Sequence, residues 1–340
     1  MNCFMKHIAY ISATILLISM TACDKPSSVQ TLMEEGASQF ADGKKEEDYT
    51  PVNSGAALKS MLDDYAGSYG KPSSTQMTDD EFKKHQSQSG STEPSQGEAI
   101  ATEGITISDE DDLLRAFHDV YDSTGTYLEF KVENGVVLDG EKLQDIYTTL
   151  QREDPIDVSG VKEWTWGCQG DVYIITFTYD FPVDELIRIK KDTRQLVKDA
   201  VANIDTENKT EYEIVYAVNE YLCDTIDYPA SEPYEPVTHT AYGALKNGIA
   251  VCEGYACAAK LLLNELSIVC DIQVGDCVEG GGHAWNLVQV DGEWYQMDVT
   301  WNDGSSSRTD YFLVTDDYMK KSRTWDESDY SATPSIAYTP

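Results

Sequence analysis

Cys252, His283 and Asp298 lie far apart in the sequence but are the side-chain types that carry nucleophilic acyl transfer. Cys252 stands where the segment beginning at His239 passes into a strongly helical run, 256–266. A thiol at a helix start is favoured as the thiolate, because unpaired backbone N–H groups and the positive end of the helix dipole stabilise the anion. Alone that is a weak signal, since a free cysteine is often only a small buried apolar residue. The partner segment adds weight. His283 opens an alternating run that ends at Val290, and Asp298 lies in the run that returns from Glu293.

What must position the histidine beside the carboxylate is a hairpin. Asp291-Gly292 between two alternating runs predicts a two-residue turn joining strands 280–290 and 293–301. With that turn, Val290 pairs with Glu293, His283 falls opposite Thr300, and Asp298 falls opposite Trp285. His283 and Asp298 are then diagonal neighbours on one face, at roughly 7–8 Å between backbone positions. A loop one residue longer would send them to opposite faces. Upstream, helices are expected over 183–204 and 211–223, the second with Ile214, Val215, Val218 and Leu222 on one face, followed by a Pro-rich loop over 228–236.

Ala-Val-Cys252-Glu-Gly-Tyr-Ala, Gly-His283-Ala-Trp-Asn 31 residues later, and Met-Asp298-Val-Thr-Trp-Asn-Asp together resemble the core of the transglutaminase-like superfamily, over about 186–315. The resemblance implies an α+β, papain-like fold with helices packed on an antiparallel sheet. It implies Cys252 as nucleophile, His283 as general base and acid, and Asp298 as the group orienting the imidazole. His283 would hold the thiolate as an ion pair and then protonate the leaving amine. The substrate would be a protein or peptide amide, resolved by water or by an amine, with hydrolysis the first expectation. A non-catalytic module keeping the fold is the further alternative. The Cys252 backbone N–H would serve the oxyanion. Tyr242 is either a second donor or a packing residue, and Trp285, Trp301 and Tyr255 either line an acyl groove or fill the core.

No metal or organic cofactor is expected. Cys168, Cys223, Cys252, Cys257, Cys270 and Cys277 contain no C-x-x-C pair, and Cys252 and Cys257 lack zinc spacing. Cys270 and Cys277 could close a short loop. Asn302-Asp303-Gly304 reads as a turn, because the remaining ligands of a calcium loop are missing.

The rest of the 340 residues reads as delivery and support. Lys6 and His7, the apolar run 8–20 and then Thr21-Ala22-Cys23 form a secretory signal. Its end resembles the lipobox of bacterial lipoproteins, which implies that residues 1–22 are removed and Cys23 becomes the lipid anchor on the outer face of the cell membrane. Residues 23–104 carry little to bury and read as a flexible tether with short amphipathic stretches at 30–40 and 56–65. A small α/β domain is expected over 105–185, with a helix capped by Ser108, strands over 127–133 and 171–179, and a helix over 140–150. His118 lies in its first helical run and reads as a surface or half-buried residue. The catalytic domain follows over 186–340.

Sixty Asp and Glu against 25 Lys and Arg give a formal charge of −35. Such a polyanion repels nucleic acid and anionic lipid surfaces, so contact with a membrane is expected through the lipid alone.

Overall fold

The computed structural model describes residues 72–88 and 105–340, except 134, 230–233, 279–280 and 306. The expected signal, Cys23 and the stretches 30–40 and 56–65 lie outside the described residues. Among the described residues the chain forms two compact units: one runs to Asp199 and takes in Thr240–Tyr242, the other comprises Ala200–His239 and Gly243–Pro340.

The first unit is built on a five-stranded sheet. Its strands are β1 (Ser73–Gln76), β2 (Ile105–Ile107), β3 (Tyr127–Val132), β4 (Val161–Gln169) and β5 (Val172–Tyr179), in the order β1-β4-β5-β3-β2. Two amphipathic helices, α2 (Glu110–Ser123) and α3 (Gly140–Glu153), bury Leu113, Phe117, Tyr121, Leu143, Ile146 and Leu150 with Leu128, Trp164 and Phe177 of the sheet. The cap of α2 is Asp109 rather than Ser108: its side chain accepts the Asp112 N–H at 2.9 Å, while Ser108 donates its own N–H to Asp112. His118 is exposed on that helix.

Residues 73–88 correct the expectation of an unstructured tether at that point. β1 pairs in parallel with β4, and helix α1 (Asp79–Gln88) follows it. Met77 and Phe82, two apolar residues in a polar stretch, cover Ile174 and close the second face of the sheet. Helix α4 (Val183–Val201) ends the unit, with its Lys190 ammonium buried against the carbonyls of Tyr121 and Asp157.

The second unit holds the three motifs. Helix α5 (Glu211–Thr225) starts at a reciprocal cap in which the Thr210 hydroxyl and the Glu213 carboxylate each accept a backbone N–H. Helix α6 (Cys252–Glu265) is apolar nearly all round and buried to match, with Ala256, Ala258, Ala259, Leu262 and Leu263 all enclosed. An antiparallel sheet follows: β6 (Cys270–Cys277), β7 (Gly282–Val290), β8 (Glu293–Met297) and β9 (Arg323–Thr324), in the order β8-β7-β6-β9.

Val290 pairs with Glu293 across Asp291-Gly292, and both turn residues have positive φ (53° and 84°), as a type I′ turn requires. The expected register therefore holds, but the return strand is shorter than expected. The ladder stops at Met297, because Asp298 caps helix α7 (Val299–Gly304) and accepts the Trp301 N–H at 3.1 Å. Asn302, Asp303 and Gly304 are therefore helical, not a turn.

Cys270 and Cys277 stand at opposite ends of β6 and form no disulfide. At about 3.3 Å per residue an extended strand of that length holds its ends too far apart for a disulfide.

Gly275 shows how closely β9 crosses β6. A Cβ there would stand 2.1 Å from the Thr324 carbonyl oxygen and 2.9 Å from the Trp285 ring, so only glycine lets Arg323 and Thr324 in.

Candidate active site

Asp298 is fully buried and ends its strand with a carboxylate that accepts three donors. One oxygen, Oδ1, takes the Trp301 N–H. The other, Oδ2, takes His283 Nε2 at 2.7 Å and also the guanidinium of Arg323. Burial raises the pKa of this carboxyl, but His283 and Arg323 outweigh it and hold the group down at about 2. At neutral pH it is an acceptor only, so the hydrogen on Nε2 belongs to histidine. Nδ1 is then the ring nitrogen left to act as a base.

Aromatic rings fix the orientation of His283. Trp285 lies nearly parallel to its ring at 5.7 Å and Trp301 lies tilted at 5.7 Å. Trp285 is itself pinned by an indole N–H donated to Gln296 Oε1 at 2.6 Å, and it packs with Val314 and Met319. It is 1 % exposed and belongs to the core, whereas Trp301 is half-buried beside the imidazole.

Cys252 is the first residue of α6. Its N-cap is Val251, which has no side-chain acceptor to offer. The first N–H groups of a helix lack intrahelical partners, so this apolar cap leaves donors at the nucleophile, where an oxyanion would form. The residue is 1 % exposed, and burial pushes the thiol well above its usual value, opposed by the N–H of Ala284. Burial thus acts against the anion that the helix start favours. The Ala284 contact ties Cys252 to the residue that follows His283.

Arg323 was not foreseen. Its guanidinium is 0 % exposed, lies over Trp301 at 4.2 Å, Trp285 at 5.1 Å and Tyr311 at 5.3 Å, and reaches Asp298 from β9. Tyr228 was also missed. It comes from the Pro-rich loop, packs edge-on to Tyr234 at 6.0 Å, and lies within electrostatic reach of Asp298 and Cys277. Glu253, next to the nucleophile, faces His239 at 3.1 Å. Tyr242 falls in the first unit and is a buried packing residue.

Tyr255 packs and does not line a groove. Its hydroxyl lies 2.9 Å from the Ile226 carbonyl oxygen and 2.8 Å from Asp303 Oδ2. The Tyr255 hydroxyl is the donor, its one hydrogen shared between the two acceptors. Burial pushes this carboxyl up to about 7, helped by Asp227 and Asp224 and opposed by Tyr255 and Arg308.

The folded protein therefore holds a proton on Asp303 that the unfolded chain releases near pH 4. The stabilisation is complete below about pH 4 and is lost as the pH rises through about 7. Asp303→Asn is expected to flatten the stability profile between those limits. Above pH 7 it should be more stable than wild type by on the order of 2–4 kcal/mol, read from urea unfolding at pH 5 and pH 8.

Residues 198–299, which contain Cys252, His283 and Asp298, match the family model described as the transglutaminase-like superfamily. Two solved structures resemble the chain, each at 16% identity. One is a TGase, with 58% of this chain and 59% of that one covered at a TM-score of 0.29. The other is a candidate cysteine protease from Cytophaga hutchinsonii, with 39% and 54% covered at a TM-score of 0.28. The chain thus spans little more than half the length of either. No curated protein matches it. The helix that begins at Cys252, the strand that carries His283 and Asp298 all fall within the residues that match this family model, in an α+β chain.

Proposed function

We propose that the chain is a cysteine-dependent acyl-transfer enzyme acting on protein or peptide carboxamides, with Cys252, His283 and Asp298 as its catalytic residues. The observation that carries this reading is the buried 2.7 Å contact between His283 Nε2 and Asp298 Oδ2, which leaves Nδ1 as base. Burial opposes a free thiolate, so proton transfer to the imidazole goes with attack. Nδ1 takes the Cys252 proton as Sγ bonds to the amide carbon, and the carbonyl oxygen becomes an oxyanion at the uncapped start of α6. When the C–N bond breaks, Nδ1–H gives its proton to the leaving amine, and a thioester remains on Cys252. Water then releases an acid, or a second amine forms a new amide.

Hydrolysis is the first reading, because it asks for water alone as the second reactant, and amine transfer is the second. The Thr21-Ala22-Cys23 junction supports a lipid anchor at Cys23 that places this chemistry on the outer face of a bacterial cell membrane. The test is to incubate the full chain with casein, with and without a labelled primary amine, beside Cys252→Ala. Peptide release in wild type alone indicates hydrolysis; label fixed to casein indicates transfer. Neither product, with both proteins alike, overturns the enzymatic reading and favours a binding module.

A further inference from the structure

Asp298 Oδ2 receives both His283 and Arg323, so the candidate triad contains a fourth charged member. Arg323 is the one arginine or lysine among the described residues with 0 % exposure, in a chain with 60 acids available to pair basic groups at the surface. Its position is built. Gly275 clears the path for its strand, and three aromatic rings surround the guanidinium at 4.2–5.3 Å. Stacking alone would be satisfied nearer solvent. Its Nη1 is directed to Asp298 Oδ2, the same oxygen that orients the imidazole, while Nε reaches Ser322 Oγ at 3.4 Å.

The charge count shows what that accomplishes. With the proton on the thiol and a single proton on the imidazole, Asp298 and Arg323 cancel. After the thiol proton moves to Nδ1, two negative and two positive groups again cancel. Without Arg323 the buried set would carry one net negative charge in both states. The cheapest remedy is a proton held on Asp298 or locked on the imidazole, and either one removes the free base.

We infer that Arg323 is a positioning residue that balances the Asp298 charge and so keeps His283 available as a base toward Cys252. This inference rests on the triad reading above. Among the described residues, the remaining groups that bear on the set are Glu253 and Cys277 at Cys252 and Tyr228 and Tyr311 at Asp298, with His239 set 3.1 Å from Glu253.

The test is the pH profile of Cys252 alkylation by iodoacetamide, followed by the mass of the peptide that contains it, in the full chain and in Arg323→Lys, Arg323→Gln and Arg323→Met. Removing a positive charge makes nearby protons harder to lose. The Gln and Met variants should therefore move the profile up by about one pH unit or more, while Lys stays close to wild type. A merely structural arginine would change the amount of folded protein, seen by near-ultraviolet circular dichroism, without moving the midpoint. If Met does not fold, the Lys and Gln pair decides, since Gln keeps donors and loses charge. Equal midpoints in Lys and Gln overturn the inference. Alkylation needs no turnover, so this result stands apart from the casein assay.

Discussion

Cys252→Ala is expected to lower turnover of a casein substrate by at least about 10⁴-fold, to the level of an acyl-transfer site without its nucleophile. The fold should survive. The side chain is small, 1 % exposed and in a helix of small residues, so alanine should cost about 1 kcal/mol or less. Cys252→Ser is expected to be nearly as inactive. The imidazole would have to deprotonate an alcohol in the same enclosed pocket, and burial already makes ionisation of the far more acidic thiol difficult. The paired measurement is initial rate against a thermal or urea midpoint. A rate loss with an unchanged midpoint assigns the sulfur to chemistry. A serine variant retaining a tenth of the wild-type rate would remove the nucleophile assignment.

Much of this site was legible in the sequence because short-range rules control it. Asp291-Gly292 allows one tight turn, and that turn sets the Val290–Glu293 register that places His283 and Asp298 on one side. The start of α6 was legible from the helical run after Cys252. The end of β8 was not. The alternating pattern continues to Trp301, but the Asp298 side chain bonds back to the Trp301 N–H and turns the chain into a helix. Local hydrogen bonding from a short acidic side chain overrides apolar periodicity there.

Other features depend on distant chain segments. Arg323 lies 25 residues beyond Asp298 in sequence, with a short strand around it that carries no pattern of its own. Only the paired edge of β6 and the missing side chain at Gly275 bring it to the carboxylate. The state of the Cys252 thiol shows the same limit: sequence gives its helix position but not the enclosure that opposes the dipole. Residues 73–88 fall to the same cause. Their composition is polar, and order there comes from pairing with β4 and from two apolar side chains set on Ile174.

Asp298→Ala is expected to damage both fold and chemistry. It leaves the Arg323 guanidinium unpaired at 0 % exposure, a loss of about 3–5 kcal/mol, and removes the cap of α7, worth about 1 kcal/mol. Asp298→Asn separates the two effects. Its carbonyl oxygen can serve either the Trp301 N–H or the His283–Arg323 pair, and where it keeps the Trp301 cap its amide hydrogens face His283 and Arg323, both of which donate. The imidazole then loses its fixed tautomer, and the rate should fall by roughly 10³–10⁴-fold even where protein remains folded.

The pH response gives an independent check. Burial raises the Asp298 carboxyl, but His283 and Arg323 hold it down at about 2, below the usual aspartate value. The folded state therefore binds fewer protons than the unfolded chain as the pH falls through about 4. The stability that this carboxylate supplies is present above that pH and is lost on the way down toward about 2. Wild type should weaken over that acid range more steeply than Asp298→Asn, as measured by urea midpoints at successive pH values. Parallel profiles would mean that Asp298 is not held as an anion between His283 and Arg323, and would remove the basis for assigning Nδ1 as the base.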